Sequence, residues 1–239
     1  ARYGLSQVTV IFQDGTDIYF ARQLIAERIQ EVKSQLPPGI EPRMGPIATG
    51  LGEIFLWTVE AKPGATNADG QPYSGMDLRT IQDWIVRPQL KNVPGVADVN
   101  TIGGYTKQFH VTPRPDALMS YGLTFDDVIE ALSRNNTNVG AGYIERRGEQ
   151  YLIRVPGQLG GLEDIRRVVV GTTTGTPVFL SQVADVSLGQ ELRTGAATED
   201  GKEIVLGTVF MLMGENSRTV ARRVAVEMEE VNRTLPDGV

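Results

Sequence analysis

The chain has 239 residues, of which 41% are hydrophobic and 22% charged, and these values are typical of a folded globular protein. Its net charge of −6 argues against a nucleic-acid partner, which would need a basic surface. There is no cysteine, so disulfides, thiolate catalysis and Cys-based metal sites are excluded, and a single histidine, His110, leaves no His-rich metal site. We therefore expect that the chain is not an enzyme. No run of residues is apolar enough to span a bilayer.

The first predicted unit is a strand followed by a helix. Residues 7–13 (QVTVIFQ) are β-branched and aromatic, which favours a strand. After the turn at residues 14–17, apolar residues recur every three or four positions up to Leu36. This spacing is typical of an amphipathic helix, which Pro37 ends.

The last segment of the chain repeats this unit. The sequence VTVIFQDG at 8–15 matches GTVFMLMG at 207–214, and LPPGI at 36–40 matches LPDGV at 235–239 with the same spacing. Two strand–helix units of one design predict duplicated α+β subdomains. The alternative is a chance similarity between two generic units.

A strand–helix–strand unit lies between the two copies. Strands are predicted at 53–60 and 96–102, and a helix with a kink at Pro88 is predicted at 76–90. This is half of a ferredoxin-like sandwich, and residues 205–235 could supply its last strand and helix.

Residues 105–189 are therefore expected to form an insertion. Thr124 is predicted to cap a helix that runs to about Leu132, with acidic residues in its first turn. Residues 135–148 are predicted to form a protruding hairpin. Further short strands are predicted at 107–112, 151–155, 167–170, 178–180 and 183–188.

Five runs carry a resemblance to a known family: FQDGTDIYFARQ, GLGEIFLWTVE, DLRTIQDWIVRPQLKNVPGVADVNTIGG, NVGAGYIERRGEQYLIR and RTGAATEDGKEIVLGTVFMLMGENS. They resemble the first periplasmic loop of heavy-metal efflux pumps of the resistance-nodulation-division (RND) superfamily, in the cobalt–zinc–cadmium branch. The resemblance implies an α+β fold, with ferredoxin-like βαβ porter subdomains and an inserted α+β docking subdomain. It implies a partial first porter subdomain at 1–48, a second porter subdomain made of 49–103 and 190–239, and the docking insertion at 104–189.

The resemblance also implies a function. The family works as a homotrimeric proton/cation antiporter of the bacterial inner membrane, with a periplasmic adaptor and an outer-membrane channel. This chain would be part of the periplasmic portion, without the membrane helices, the second periplasmic loop, and the opening strand and helix of the first porter subdomain. No cofactor is expected, because the divalent cation is the substrate. The alternatives are an RND pump for organic solutes, or a non-transporting assembly or metal-binding module.

The resemblance assigns cation ligands to two carboxylates. Matched motif by motif, the first-loop acids of zinc-exporting relatives fall on Glu53, in GLGEI, and Asp98, in GVADVN. Strand alternation puts Asp98, Asn100 and Ile102 on one face, which we interpret as the cleft, and makes Asn100 a candidate to support the ligands. Two carboxylates alone bind Zn²⁺ weakly, because four-coordinate sites usually have more protein ligands. The alternative is that both acids are merely solvated strand ends.

Other residues are assigned with alternatives. Hairpin residues Tyr143, Ile144, Arg146 and Arg147 resemble the arm that RND protomers insert into a neighbour, or they belong to a surface loop. Gly103 and Gly104 form a tight junction that could act as a hinge.

The methionine, histidine and tryptophan side chains are interpreted as structural residues rather than as ligands. Met211 and Met213 are read as core residues rather than a Cu(I) pair. A metal role for His110 is less expected than a surface or hydrogen-bonded position. Trp57 and Trp84 are read as packing residues.

Overall fold

The computed structural model describes residues 6–137, 139–146, 149–155, 157–173, 175–192 and 195–239, with the backbone alone at residues 50, 139–144, 146 and 149–155. The fold is α+β, as predicted. Among these described residues, no helix has both the length and the apolar character needed to cross a bilayer.

The main sheet brings together strands from distant parts of the sequence. Strand β10 (Lys202–Met211) lies between β1 (Glu53–Val59) and β2 (Val96–Ile102) and pairs antiparallel with both. Strand β9 (Ala197–Glu199) pairs with the start of β10. The β-branched residues of β10 account for its central place, since Val205 and Val209 are buried.

Helices cover one face of this sheet. Helix α2 (Gly75–Ile81) begins at a capping box of Ser74 and Asp77, continues through a π-helical turn at residues 82–86, and leads into α3 (Arg87–Lys91). The π turn ends two residues before Pro88, which has no N–H to donate, so the helix is widened next to the position where a kink was predicted. Helix α8 (Ser217–Thr234) packs beside α3.

The core between the helices and the sheet contains residues from two segments of the chain, 59–99 and 205–231. Its buried residues share an apolar, mostly β-branched character, as expected where helices pack on a pleated sheet. They are Val59, Ile81, Val86, Leu90, Val93, Val96, Val99, Val205, Val209, Val220, Val224 and Val231.

The insertion leaves the sheet along a two-stranded ribbon. Strand β3 (Lys107–Pro113) pairs antiparallel with β8 (Ala184–Gln190). The insertion's helices and remaining strands are α4 (Pro115–Tyr121), α5 (Phe125–Arg134), β4 (Val139–Arg146), β5 (Glu149–Val155), α6 (Leu162–Arg166), β6 (Val169–Thr173), β7 (Thr176–Phe179) and α7 (Leu180–Val183). Thr124 caps α5 in a capping box, as predicted.

A second core lies within the insertion. It contains Leu118, Val128, Ala131, Ile165, Val168, Val170, Val178, Leu180, Val183, Ala184 and Val186. Among the described residues, the two cores share no buried residue. The subdomain boundaries at 48, 103 and 189 stay a prediction.

The N-terminal unit differs from its prediction. Helix α1 (Ile18–Lys33) forms, capped by Asp17, but residues 7–13 form no strand. A strand needs a partner for its backbone groups, and within the described part of the chain none pairs with this segment. As a result Val8 is 84% and Ile11 91% exposed. The strand prediction is wrong here because the partner, not the local propensity, is missing.

Candidate functional site

The sheet register places the two predicted acids on either side of one residue. Glu53 of β1 and Asp98 of β2 both pair with Phe210 of the central strand β10. Two interstrand spacings separate their Cα atoms by about 10 Å. Each acid lies beside a register irregularity, between Glu53 and Phe55 on one side of β10 and between Phe210 and Met211 on the other. The register thus brings two acids that are 45 positions apart in the sequence to the same level of the sheet.

The two faces of β2 divide as strand alternation predicts. Val99 is fully buried on the helix side, and Thr101 donates a hydrogen bond to Asp83 of the π turn at 2.8 Å. Asn100 is exposed, and Ile102 is 44% exposed. The face with Asn100 therefore has no helical layer over it.

Asp98 is held at one of its two oxygens. Its Oδ1 accepts from Lys91 Nζ at 3.0 Å and from the Val99 N–H at 2.9 Å, and Arg87 Nη2 lies 3.6 Å away. Burial raises the pKa of the Asp98 carboxyl, but the Lys91 and Val99 hydrogen bonds and the charges of Lys91 and Arg87 outweigh burial. The pKa of Asp98 therefore lies below its ordinary value, and the group is a carboxylate at neutral pH.

Glu53 is more open than Asp98. It is exposed at the start of β1, and its carboxylate has no ion pair among the described residues. Nowhere in the described ranges do three or more His, Asp or Glu side chains group closely enough to hold a metal ion. The geometry offers two separate carboxylates at the same level of the sheet rather than a closed coordination shell.

The Gly103–Gly104 junction is tightly packed. Gly103 has φ +83° and Gly104 φ +63°, the left-handed region that favours glycine. A Cβ at Gly103 would clash with the Ile204 carbonyl oxygen, and one at Gly104 would lie 2.6 Å from the Gly75 carbonyl oxygen. Only glycine fits this corner without displacing backbone.

A polar network fixes the same corner. Arg79 donates to the Gly103 carbonyl oxygen at 2.8 Å and pairs with Asp83 at 2.7 Å. Asp83 in turn accepts from Thr101. The end of β2 is thus tied to the helix that precedes it.

The predicted contact residues lie on the β4–β5 hairpin. Tyr143, Ile144 and Arg146 belong to β4, which pairs with β5, and nothing of their side chains falls within the description. Arg147 lies outside the described residues altogether.

The methionine, tryptophan and histidine candidates lie at different places in the fold. Met211 packs on the core as predicted, whereas Met213 follows the end of β10 and is 49% exposed, so its predicted core position is wrong. Trp57 donates to the buried Gln82 at 2.9 Å, and its ring lies against Gly207. Trp84 is 79% exposed, so its predicted packing role is wrong, because its position in the π turn lies away from the sheet. His110 is exposed and lies against Gly189.

Two site residues were missed from the sequence. Lys91 and Arg87 contact Asp98 from α3, although nothing in the local pattern separates them from other surface cations. Their spacing of four on a helix, shortly before an acid-bearing strand, is the available signal.

Comparison with known proteins agrees with this fold. The chain matches, with TM-score 0.79 and 29% identity, a crystal structure of a heavy metal efflux pump, over 95% of this chain and 22% of that one. It is 64% identical to the cobalt-zinc-cadmium resistance protein CzcA of Cupriavidus metallidurans over 239 residues. It is 43% identical, over an alignment of 263 residues, to the nickel-cobalt-cadmium resistance protein NccA of Alcaligenes xylosoxydans xylosoxydans.

These matches cover the whole of this chain but only 22% and 24% of the two relatives' own lengths. The fold is that of one segment of a heavy-metal efflux pump. The sequence profile of the AcrB/AcrD/AcrF family matches residues 1–239, and the chain belongs to that family. The family is one of transporters.

Proposed function

We propose that this chain is the periplasmic porter and docking portion of a proton-driven efflux pump for divalent heavy-metal cations of the Zn, Co, Cd and Ni type. The observation that carries the proposal is 64% identity along the entire chain to a cobalt-zinc-cadmium resistance protein. The cation is the substrate and no resident cofactor is involved. The proton-relaying groups would lie in parts of the pump beyond these residues.

The cation path would follow the open face of the main sheet. Glu53 and Asp98 flank Phe210 there, and Asn100 lies on the same face as Asp98. Carboxylate oxygens are ligands for these borderline divalent ions. With about 10 Å between the two Cα atoms, the acids would act as successive weak contacts, or as partial ligands completed by another part of the pump.

A cell-based assay tests this assignment. The full-length pump, carrying Glu53→Gln, Asp98→Asn or both, is expressed in a metal-sensitive bacterial strain. We expect the growth-inhibiting concentrations of Zn²⁺, Co²⁺ and Cd²⁺ to fall toward those of the strain without pump. Glu31→Gln and Asp69→Asn, on exposed parts of the chain, serve as matched controls and should keep full resistance. Full resistance of the double variant at normal expression would refute the ligand assignment.

The organic-solute alternative predicts a cleft lined by aromatic side chains. Trp57 is packed on the core through Gly207 and Gln82, whereas Trp84 is exposed on a helix. The two indoles do not form a common box. Loss of dye resistance without loss of metal resistance in the same variants would favour this alternative. A non-transporting assembly module would instead leave both resistances unchanged.

We also propose the partners that the family implies: two further copies of the pump, a periplasmic adaptor and an outer-membrane channel. The β4–β5 hairpin would supply the contact to the neighbouring copy, through Tyr143, Ile144, Arg146 and Arg147. In Tyr143→Ala/Arg146→Glu full-length pump, cross-linked trimers should decrease. Unchanged trimer yield would remove the hairpin from the interface.

The Gly103–Gly104 corner is the proposed hinge between the sheet and the insertion. Movement there would have to break the Arg79 hydrogen bond to Gly103. With spin labels at positions 69 and 126, Arg79→Met should broaden the distance distribution relative to the unsubstituted chain. An unchanged distribution would argue for a rigid corner.

A further inference from the structure

We propose that Lys91, assisted by Arg87, keeps the cation affinity of Asp98 low by holding a fixed positive charge at one side of its carboxylate. This inference rests on Asp98 being a ligand of the transported cation, as proposed above. It adds affinity-setting residues that do not themselves contact the cation.

The contacts at Asp98 are one-sided. Lys91 Nζ, the Val99 N–H and the more distant Arg87 guanidinium all approach Oδ1. In the described part of the chain, Oδ2 has no such partner. A cation can therefore bind at Oδ2 while the ammonium stays at Oδ1.

The helix fixes the positions of both cations. Arg87 and Lys91 lie four residues apart on α3, so they project from the same side of the helix. Leu90, fully buried beneath the helix, anchors α3 against the sheet core. The side chains of Lys91 and Arg87 remain 52% and 38% exposed. The Asp98 side chain is itself 21% exposed, so solvent still reaches part of the carboxylate when either charge is removed.

This placement weakens cation binding by simple electrostatics. An ammonium bonded to one carboxylate oxygen lies only a few ångströms from an ion on the other oxygen, and like charges at that distance repel. Partial exposure screens the repulsion, and an effect on the order of tenfold in affinity is expected. A transport path gains from this, because a cation must leave as well as bind.

Zn²⁺ titration of the whole 239-residue chain by calorimetry, up to millimolar Zn²⁺, tests the inference. Lys91→Met should bind Zn²⁺ about tenfold more tightly than the unsubstituted chain. Arg87→Met should give a smaller gain, since Arg87 is further from Oδ1. Lys91→Arg should keep the low affinity. Lys33→Met, on the exposed end of α1, is the matched control and should change nothing.

The Asp98→Asn background separates the two proposals. If the gain from Lys91→Met disappears there, the gain acts through Asp98, as inferred. If Asp98→Asn weakens binding but Lys91→Met does not strengthen it, Lys91 has only a structural role and the inference fails, while the ligand assignment stands.

Failure of the ligand assignment looks different. Zn²⁺ affinity would then be unchanged by Asp98→Asn alone, and any gain from Lys91→Met would persist in that background. If circular dichroism shows that Lys91→Met does not fold, Lys91→Gln replaces it, with the same expected gain and the same overturning result.

Discussion

Two single residues near the ends of β2 stabilise the structure in different ways, one by electrostatics and one by its small size. At one end, Asp98 exchanges water for the Lys91 ammonium and a backbone N–H. At the other end, Gly103 allows the chain to turn where any side chain would meet the Ile204 carbonyl. The first is an electrostatic arrangement that solvent and salt can modify, whereas the second is a steric requirement that only glycine meets.

Gly103→Ala should destabilise the sheet unit by about 2–4 kcal/mol, combining a left-handed backbone with a clash against a carbonyl that cannot move freely. Urea unfolding followed by circular dichroism measures the change. Gly214→Ala is the matched control, because Gly214 also has positive φ, +90°, but no atom within 4 Å of the added Cβ. It should cost about 1 kcal/mol. Equal losses would show that backbone strain alone matters at Gly103.

The lowered pKa of Asp98 makes stability depend on pH. Because the folded pKa lies below the unfolded value of about 3.9, the ionised group stabilises the fold above that value. This contribution is lost as pH falls through the folded pKa. Asp98→Asn should therefore lower the unfolding free energy at pH 7 and show a weaker decline below about pH 5. Unfolding curves at a series of pH values test this. Parallel curves for both proteins would contradict it.

The partners of Asp98 illustrate what sequence could not supply. Alternation along β2 predicted the buried Val99 and the exposed Ile102 correctly, because a strand's period is local. The Lys91 contact depends on how α3 lies across the edge of the sheet, which is set by packing of Leu90 and its neighbours. Alternation in the sequence therefore predicted the strand face of Asp98, but not the cationic side chains that contact it.

At the scale of elements, the repeated strand–helix unit shows that the same sequence pattern has two outcomes. Strand β10 is central and buried, whereas the matching residues 7–13 have no pairing within the described chain. Both segments have the β-branched character of a strand. The difference is that β10 has β1 and β2 beside it, so tertiary partners decide what propensity only permits.

Substitutions at equivalent repeat positions should expose this difference. Val209→Ala in β10 should cost about 2–3 kcal/mol, because a fully buried side chain loses two methyl groups and leaves a cavity. Val10→Ala, at the matching position of the first copy, should change stability by less than about 0.5 kcal/mol, since Val10 is 52% exposed. Chemical denaturation of both variants provides the comparison. A large loss from Val10→Ala would show that the N-terminal unit is packed in solution.

At the scale of the whole molecule, the described residues form two cores, which the β3–β8 ribbon joins. We expect separate stabilities, because no buried residue of the described chain belongs to both cores. Leu180→Ala, in the insertion core, should lower protection in residues 115–186 by about 2–5 kcal/mol and leave the main sheet unaffected. Val209→Ala should do the reverse. Hydrogen exchange with mass spectrometry resolves the two regions, and equal loss of protection everywhere would establish a single cooperative unit.

The unpaired N-terminal segment has a practical consequence for anyone preparing this chain. Residues 8, 10, 11 and 12 expose apolar side chains, and their backbone pairs with no strand of the described chain, a combination that drives edge-to-edge association at high concentration. The main sheet holds residue 47 through the bond from the Met213 N–H to the Ile47 carbonyl oxygen. A shortened version beginning near residue 45 would keep the hydrogen bond to Ile47 and remove the exposed apolar segment. It is the better starting point for crystals and for concentrated NMR samples.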